Sequence, residues 1–329
     1  MKYYRYKDEN SITCLLCKHY CTLKKDKHGI CGINYNKEGK LLNKTHSHPS
    51  AIHIDPIEKK PLYHFLPSSS SFSIGTVGCN FRCPFCQNYS ISQTSSVDES
   101  VIYTPQDIVN IATEHKTQSI SYTYNEPTIW YPYAKDIGVL AKEVGIKNVF
   151  VSSGFESHEV LNDMSSWLDA ANIDLKSFSH DYYKKVLKTD LDGVLESLIE
   201  FAKSGIWLEI TTLIIPNVND SEEEISKMAE FISSKLGSDI PWHFSAFHPT
   251  YKMQNTPPTP LESLIKAKEI AKSYGIKYIY LGNIPNDSST YCDKCGEKLI
   301  DRSGFSSEVL NIKDSKCMAC SKEIKGVWR

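Results

Sequence analysis

Three cysteines crowd the segment Cys79-Asn80-Phe81-Arg82-Cys83-Pro84-Phe85-Cys86, in a C-x3-C-x2-C spacing with an aromatic before the last. Thiolates are soft ligands, suited to zinc or to iron–sulfur clusters. Three on one short loop hold three corners of a cubane or of a tetrahedral ion. They leave one position open, as catalytic metal sites do and structural ones do not. The chain has eleven cysteines, and the other eight form two complete sets of four: Cys14, Cys17, Cys21 and Cys31, then Cys292, Cys295, Cys317 and Cys320. On ligand count alone, two other arrangements for the central three stay open. One is a zinc site finished by a histidine such as His64; the other is a cluster that borrows a distant ligand.

The outer sets suit structural work. The first, C-x2-C-x3-C-x9-C, can organise a small loop-rich module that would hardly bury a core unaided. Zinc and an auxiliary iron–sulfur cluster both accept four thiolates, so the ligands do not separate them. His19 and His28 nearby read as exposed loop residues. The second set is a pair of C-x2-C knuckles with glycine after the first, the pattern of a zinc ribbon.

Elements that position these residues can be read from the flanking sequence. Ser71–Gly78 is a β-prone run leading into the central cysteines, which places them on a loop at the C-terminal end of a strand. Barrel enzymes keep their chemistry there. Beyond it, strand-like and helix-like segments alternate. Thr104-Pro105-Gln106-Asp107 opens a helix with a cap, a proline at N1 and an early acid. Strands are expected at Ser119–Tyr124, Asn148–Ser152, Asn172–Leu175, Ile206–Ile215, Trp242–Phe247 and Tyr278–Leu281. Helices are expected at Thr128–Val144, Ser157–Leu168, Asp220–Leu236 and Leu261–Tyr274, with one or two more before Ser204. Such a chain of strand–helix units implies parallel strands with right-handed crossovers. Polar residues gather where the strands end: Asn125-Glu126, Ser152-Ser153, Asp174-Leu175-Lys176 and His248. Alternation puts Asp174 and Lys176 on one face. The proline-punctuated stretch over residues 36–70 reads as a linker with a solvated run of mixed charge.

Composition bounds the function. The 329 residues carry a net charge of −2, so no global basic surface advertises nucleic acid. No apolar run approaches the roughly 20 residues of a membrane span, and the start lacks a signal-peptide core. Clustered cysteines without a secretion signal favour metal binding in a reducing cytoplasm.

The triad, Phe85 and the preceding strand resemble the radical S-adenosylmethionine (SAM) superfamily. Asp55-Pro-Ile-Glu-Lys-Lys-Pro-Leu-Tyr-His-Phe65, followed by Gly78–Asn88, narrows the likeness to the radical SAM enzymes of the AmmeMemoRadiSam system, relatives of the glycyl-radical activases. The resemblance covers nearly the whole chain. It implies an α/β fold, a partial (β/α)6 TIM-like barrel over residues 67–285. An N-terminal cysteine module and linker would occupy 1–66, and a C-terminal zinc-ribbon-like module 286–329.

The same resemblance implies a [4Fe-4S] cluster on Cys79, Cys83 and Cys86, with SAM on its fourth iron. SAM would be contacted by Phe85, Asn125, Glu126, Ser152, Asp174, Lys176 and His248. The glycine–glycine–glutamate segment of the superfamily is replaced here by Tyr124-Asn125-Glu126. Zinc is expected at the C-terminal cysteines, and zinc or a second cluster at the N-terminal ones. The partners implied are a low-potential donor such as ferredoxin or flavodoxin, and Memo-like and AMMECR-like proteins. The substrate could be an RNA, a protein or a small molecule. A glycyl-radical activase, or a non-catalytic metal-binding interaction protein, are the competing readings.

Overall fold

The alternation of strands and capped helices produces one eight-stranded sheet whose strands lie in chain order. The computed structural model describes residues 3–328. Seven strands run parallel: Ser70–Gly75, Ser119–Tyr122, Lys147–Ser152, Ala170–Asp174, Trp207–Ile214, Trp242–Ala246 and Ile279–Gly282. Parallel neighbours need crossovers. The helices Pro105–Glu114, Tyr131–Glu143, His158–Met164, Leu191–Lys203, Glu222–Phe231 and Leu261–Ser273 supply them. These are the six expected strand–helix units and a last strand. The two edge strands do not pair with each other, so the barrel stays open. Local chemistry sets the helix starts. Thr104 and Asp107 exchange side-chain bonds with each other's backbone N–H ahead of Pro105, and Ser221 accepts from Glu224 N.

Two elements differ from expectation. Ala51–Pro56, within the expected linker, is an antiparallel edge strand on Ser70–Gly75. Its apolar residues do not alternate inward, and Ile54 is exposed. Backbone bonding on one side holds it, and Pro56 ends it where no further donor is needed. The helix expected from Thr128 begins as a 3-10 turn, Pro127–Trp130, and becomes α-helical only at Tyr131. Pro132 has no N–H to offer the Thr128 carbonyl, so the regular ladder starts beyond it.

The two cysteine modules attach differently. The N-terminal one is a three-stranded sheet (Tyr4–Asp8, Ser11–Cys14, Thr22–Lys24) followed by the hairpin Asn34–Lys37 and Lys40–Asn43. Its Ile12, Leu16, Leu23 and Ile33 belong to the same apolar core as the barrel. Lys18 Nζ donates to Gly193 O at 2.6 Å and to Ser197 Oγ at 2.8 Å. The C-terminal module, built on Lys298–Ser303 and Ser306–Val309, has its own small core of Leu299, Ile300, Ile324 and two cysteines. That core rests on Tyr63, Tyr278 and Tyr280 of the barrel. No helix among the described residues is long and apolar enough to cross a membrane.

Candidate active site

The strand Ser70–Gly75 ends in the loop that carries the three central cysteines. Gly78, at φ 88°, turns the chain into it, and a side chain there would meet the Cys31 carbonyl at 2.7 Å. The loop is clamped from behind by Asn125. Its Oδ1 accepts from Trp130 Nε1 at 3.0 Å and from Thr76 N at 3.2 Å, and its Nδ2 donates to Gly78 O at 2.9 Å. Arg82 donates to the carbonyls of Cys79, Phe81 and Ile30.

Cys79, Cys83 and Cys86 line one cavity of about 1040 Å³ at the C-terminal ends of the strands. All eleven cysteines are free thiols. Burial pushes Cys83 up to about 12 and Cys79 well above the usual thiol range. Thiolates at these positions therefore need a bound cationic centre, and this donor set fits an iron–sulfur cluster with an open corner. Asn172 Oδ1 and Thr211 Oγ1 line the same cavity, buried and without a hydrogen-bond partner. Such orphaned polar atoms fit a polar ligand.

Of the residues expected around SAM, Phe85, Asn125, Glu126, Ser152, Asp174 and Lys176 line the cavity. Lys176 Nζ pairs with Asp174 Oδ2 at 2.6 Å. Burial alone would lower this lysine, but Asp174 and then Cys83 hold it above its ordinary value. His248 is not brought in. It is exposed on the rim, its Nε2 3.0 Å from Asn283 O. His64 does not face the cysteines either: Nε2 meets Tyr280 Oη at 2.6 Å and Nδ1 meets Lys325 O at 2.8 Å. A zinc site completed by His64 is thereby removed. His19 is half-buried rather than exposed, with Nε2 3.1 Å from Asn80 O.

Behind the cavity wall lies a ring of four oxygens. Ser152 Oγ is 2.7 Å from Glu126 Oε1 and 2.5 Å from Glu156 Oε1. Thr128 Oγ1 is 2.6 Å and 3.1 Å from the same two atoms. Two hydroxyls shared among these four contacts leave two buried carboxyl groups facing each other. Burial, then the neighbouring Glu126, push Glu156 up to about 7.

Several cavity residues were missed by sequence reasoning. Lys60 Nζ meets Asp55 Oδ2 at 2.5 Å, and Tyr124 donates to the same oxygen at 2.7 Å. Burial lowers Lys60 to about 8. The charge run of residues 55–60, expected to be solvated, is thus largely internal; the family-like segment was its signal. His243 lines the cavity and pairs with the buried Glu209 at 2.7 Å. From the C-terminal module, Ser288 and Arg302–Phe305 form part of the wall. Arg302 stacks 4.3 Å over the Tyr63 ring and donates to Tyr63 O at 2.6 Å. Nothing in the sequence around Arg302 marks it.

Comparison with known proteins adds to this geometry. The family model described as the radical SAM superfamily matches residues 73–231. An uncharacterized protein of Methanocaldococcus jannaschii is 40% identical over 98% of this chain and 97% of its own length. A putative glycyl-radical enzyme activating enzyme of the same organism is 26% identical over 63% of this chain and 78% of its own. A solved radical SAM methyltransferase from Sphaerobacter thermophilus superposes with a TM-score of 0.53 at 12% identity, covering 85% of this chain and 77% of that one. At such identity that likeness speaks for the fold alone.

Proposed function

Because the chain belongs to the radical SAM superfamily, we propose that Cys79, Cys83 and Cys86 hold its [4Fe-4S] cluster and that SAM binds beside them in the cavity. The observation that carries this reading is the convergence of the three thiols on one cavity with Asp174, Lys176 and two unpartnered polar atoms. When bound, the cluster and SAM supply one-electron cleavage of the sulfonium to methionine and a 5′-deoxyadenosyl radical.

The chain's own groups bind, orient and exclude water. Asn125 fixes the cysteine loop, its side chain already spent on the protein. Glu126 takes up Ser153 N at 2.8 Å and so shapes the strand end where the ribose would lie. Lys176, beside Cys83 in the cavity wall, would offer a cation to the thiolates and to a bound carboxylate. Phe85 gives the adenine an apolar face. His248 is left out of this set.

The substrate enters the part of the cavity bounded by Lys60, Tyr63, His243 and Arg302. Because the C-terminal module forms part of that wall, the reading favours a substrate held by a partner or reaching past the module: a protein, an RNA or a small molecule, processed with Memo-like and AMMECR-like proteins. Similarity to a putative activating enzyme supports a second reading, hydrogen abstraction from a backbone glycine of a partner enzyme. A ferredoxin or flavodoxin in a reducing cytoplasm supplies the electron. The C-terminal cysteines hold zinc.

The test is anaerobic reconstitution with iron and sulfide, then dithionite and SAM, assayed for 5′-deoxyadenosine. The wild type is expected to form it and Cys83→Ala to form none. Equal production by both would remove the reading.

A further inference from the structure

The molecule contains three cysteine sites, and their sulfur spacings can be compared directly. In the C-terminal set, Cys292 and Cys320 Sγ are 3.6 Å apart, and Cys295 and Cys317 Sγ 3.7 Å. All four ligand atoms lie within 4.8 Å of one another. Four bonds of about 2.3 Å to one zinc ion set sulfurs about 3.8 Å apart, so this set has the dimensions of a single ion. Among the described residues it is the one group of three or more potential ligands that tight. Neither the central triad nor the N-terminal four meets that limit. A cubane interposes four irons between its thiolates, so its ligands do not have to meet that limit.

The N-terminal four nonetheless converge. Cys14 N donates to Cys21 O at 3.0 Å. Cys21 Sγ lies 3.6 Å from where a Gly29 side chain would begin, two residues before Cys31. Cys14, Cys17 and Cys31 are buried in the same apolar cluster as Cys79 and Cys83, whereas Cys295 of the C-terminal set is exposed. The module also touches the triad loop along its length. The Cys31 carbonyl abuts Gly78, Ile30 O accepts from Arg82, and His19 meets Asn80 O.

We propose that Cys14, Cys17, Cys21 and Cys31 hold a second [4Fe-4S] cluster, which relays electrons to the one at the triad. All four irons take protein thiolates, so no corner is open to SAM or substrate. The step is pure electron transfer. A low-potential one-electron donor is oxidised, the N-terminal cluster is reduced and then reoxidised by the triad's cluster, and no bond forms or breaks at the site. Cysteines of both sets share one apolar cluster, and an apolar surrounding lowers the potential of a cluster it encloses. The relay, though not the second cluster, rests on the function proposed above.

The experiment uses the full-length chain, reconstituted anaerobically with iron and sulfide. Iron and sulfide for two cubanes with one zinc are expected. Dithionite reduction should give two paramagnetic signals, of which SAM moves one, and the two should broaden each other when both are reduced. Cys21→Ser, at the least buried of the four, should remove the SAM-insensitive signal and keep the SAM-sensitive one. Iron for a single cubane together with two zincs in the wild type overturns the proposal, and needs no variant to fold. Two signals that do not broaden each other overturn the relay. Two clusters of which SAM moves neither would instead sink the proposed function and leave the second cluster standing.

Discussion

Two four-cysteine modules bracket the barrel, and they are built on opposite principles. The N-terminal module buries Ile12, Leu16, Leu23 and Ile33 in the barrel's own core, and its sulfurs do not all lie within 4.8 Å of one another. The C-terminal module keeps a separate core, gathers its sulfurs around one point and leaves Cys295 exposed. One is part of the barrel's foundation behind the cysteine loop; the other is a panel laid against the barrel mouth. Similar ligand counts in sequence therefore conceal different mechanical roles.

The largest effect that could break this contrast is on global stability. Leu16→Ala and Leu299→Ala each empty a site less than 2% exposed, at a cost of about 2–5 kcal/mol. For Leu16 the loss should appear in the unfolding of the whole chain, as a lower urea midpoint by far-UV circular dichroism. For Leu299 it should be confined to the tail, seen by hydrogen exchange. Equal global shifts for both would erase the distinction.

Chelation comes next. A zinc chelator or Cys295→Ser should release about one equivalent of zinc and open residues 286–329 to protease, since metal binding and folding are one free energy in such modules. The SAM-responsive spectrum should persist. Its loss would mean that the panel is structural for the barrel after all.

A pH effect is expected where the N-terminal module meets the barrel, because Cys17 pairs with Glu156 there. Glu156 is raised from 4.5 to about 7 in the folded chain. Its protonated form thus favours folding. The contribution is fully present below about 4.5 and is lost as the pH rises through 7. Glu156→Gln lacks that loss. Relative to the variant, wild type should weaken between pH 5 and 8 by an amount on the order of 3 kcal/mol. A flat difference across that window would show that Glu156 does not titrate there. The smallest effect expected is where the panel meets Tyr63. Arg302→Lys keeps the charge but loses the stacked fork over Tyr63, and should loosen the C-terminal module by about 1 kcal/mol in hydrogen exchange.

The barrel was legible because each strand–helix unit carries its own signals: Thr104, Pro105 and Asp107 at one helix start, Ser221 and three glutamates at another. The triad was legible from spacing, and Asp174 with Lys176 from strand alternation. What escaped depends on contacts distant in sequence. Arg302 reaches the cavity only through packing on Tyr63, 239 residues earlier. Glu209 and His243 sit on neighbouring strands, where periodicity marks burial but not pairing. His248 failed for the opposite reason. It stands at a strand end as expected, yet the chain turns there and carries its ring to the Asn283 carbonyl on the rim.

The bond from Lys18 to Gly193 spans 175 residues and has a consequence for assembly. The strands of the sheet pair with their chain neighbours, so the barrel can be laid down progressively from either edge. The N-terminal module cannot follow that order. It emerges first in synthesis, but its anchors on Phe155, Ser157 and the helix Leu191–Lys203 come much later. The module therefore cannot dock fully until the helix Leu191–Lys203 has been made, and until then its four thiols stand open to solvent, oxidant and any metal within reach.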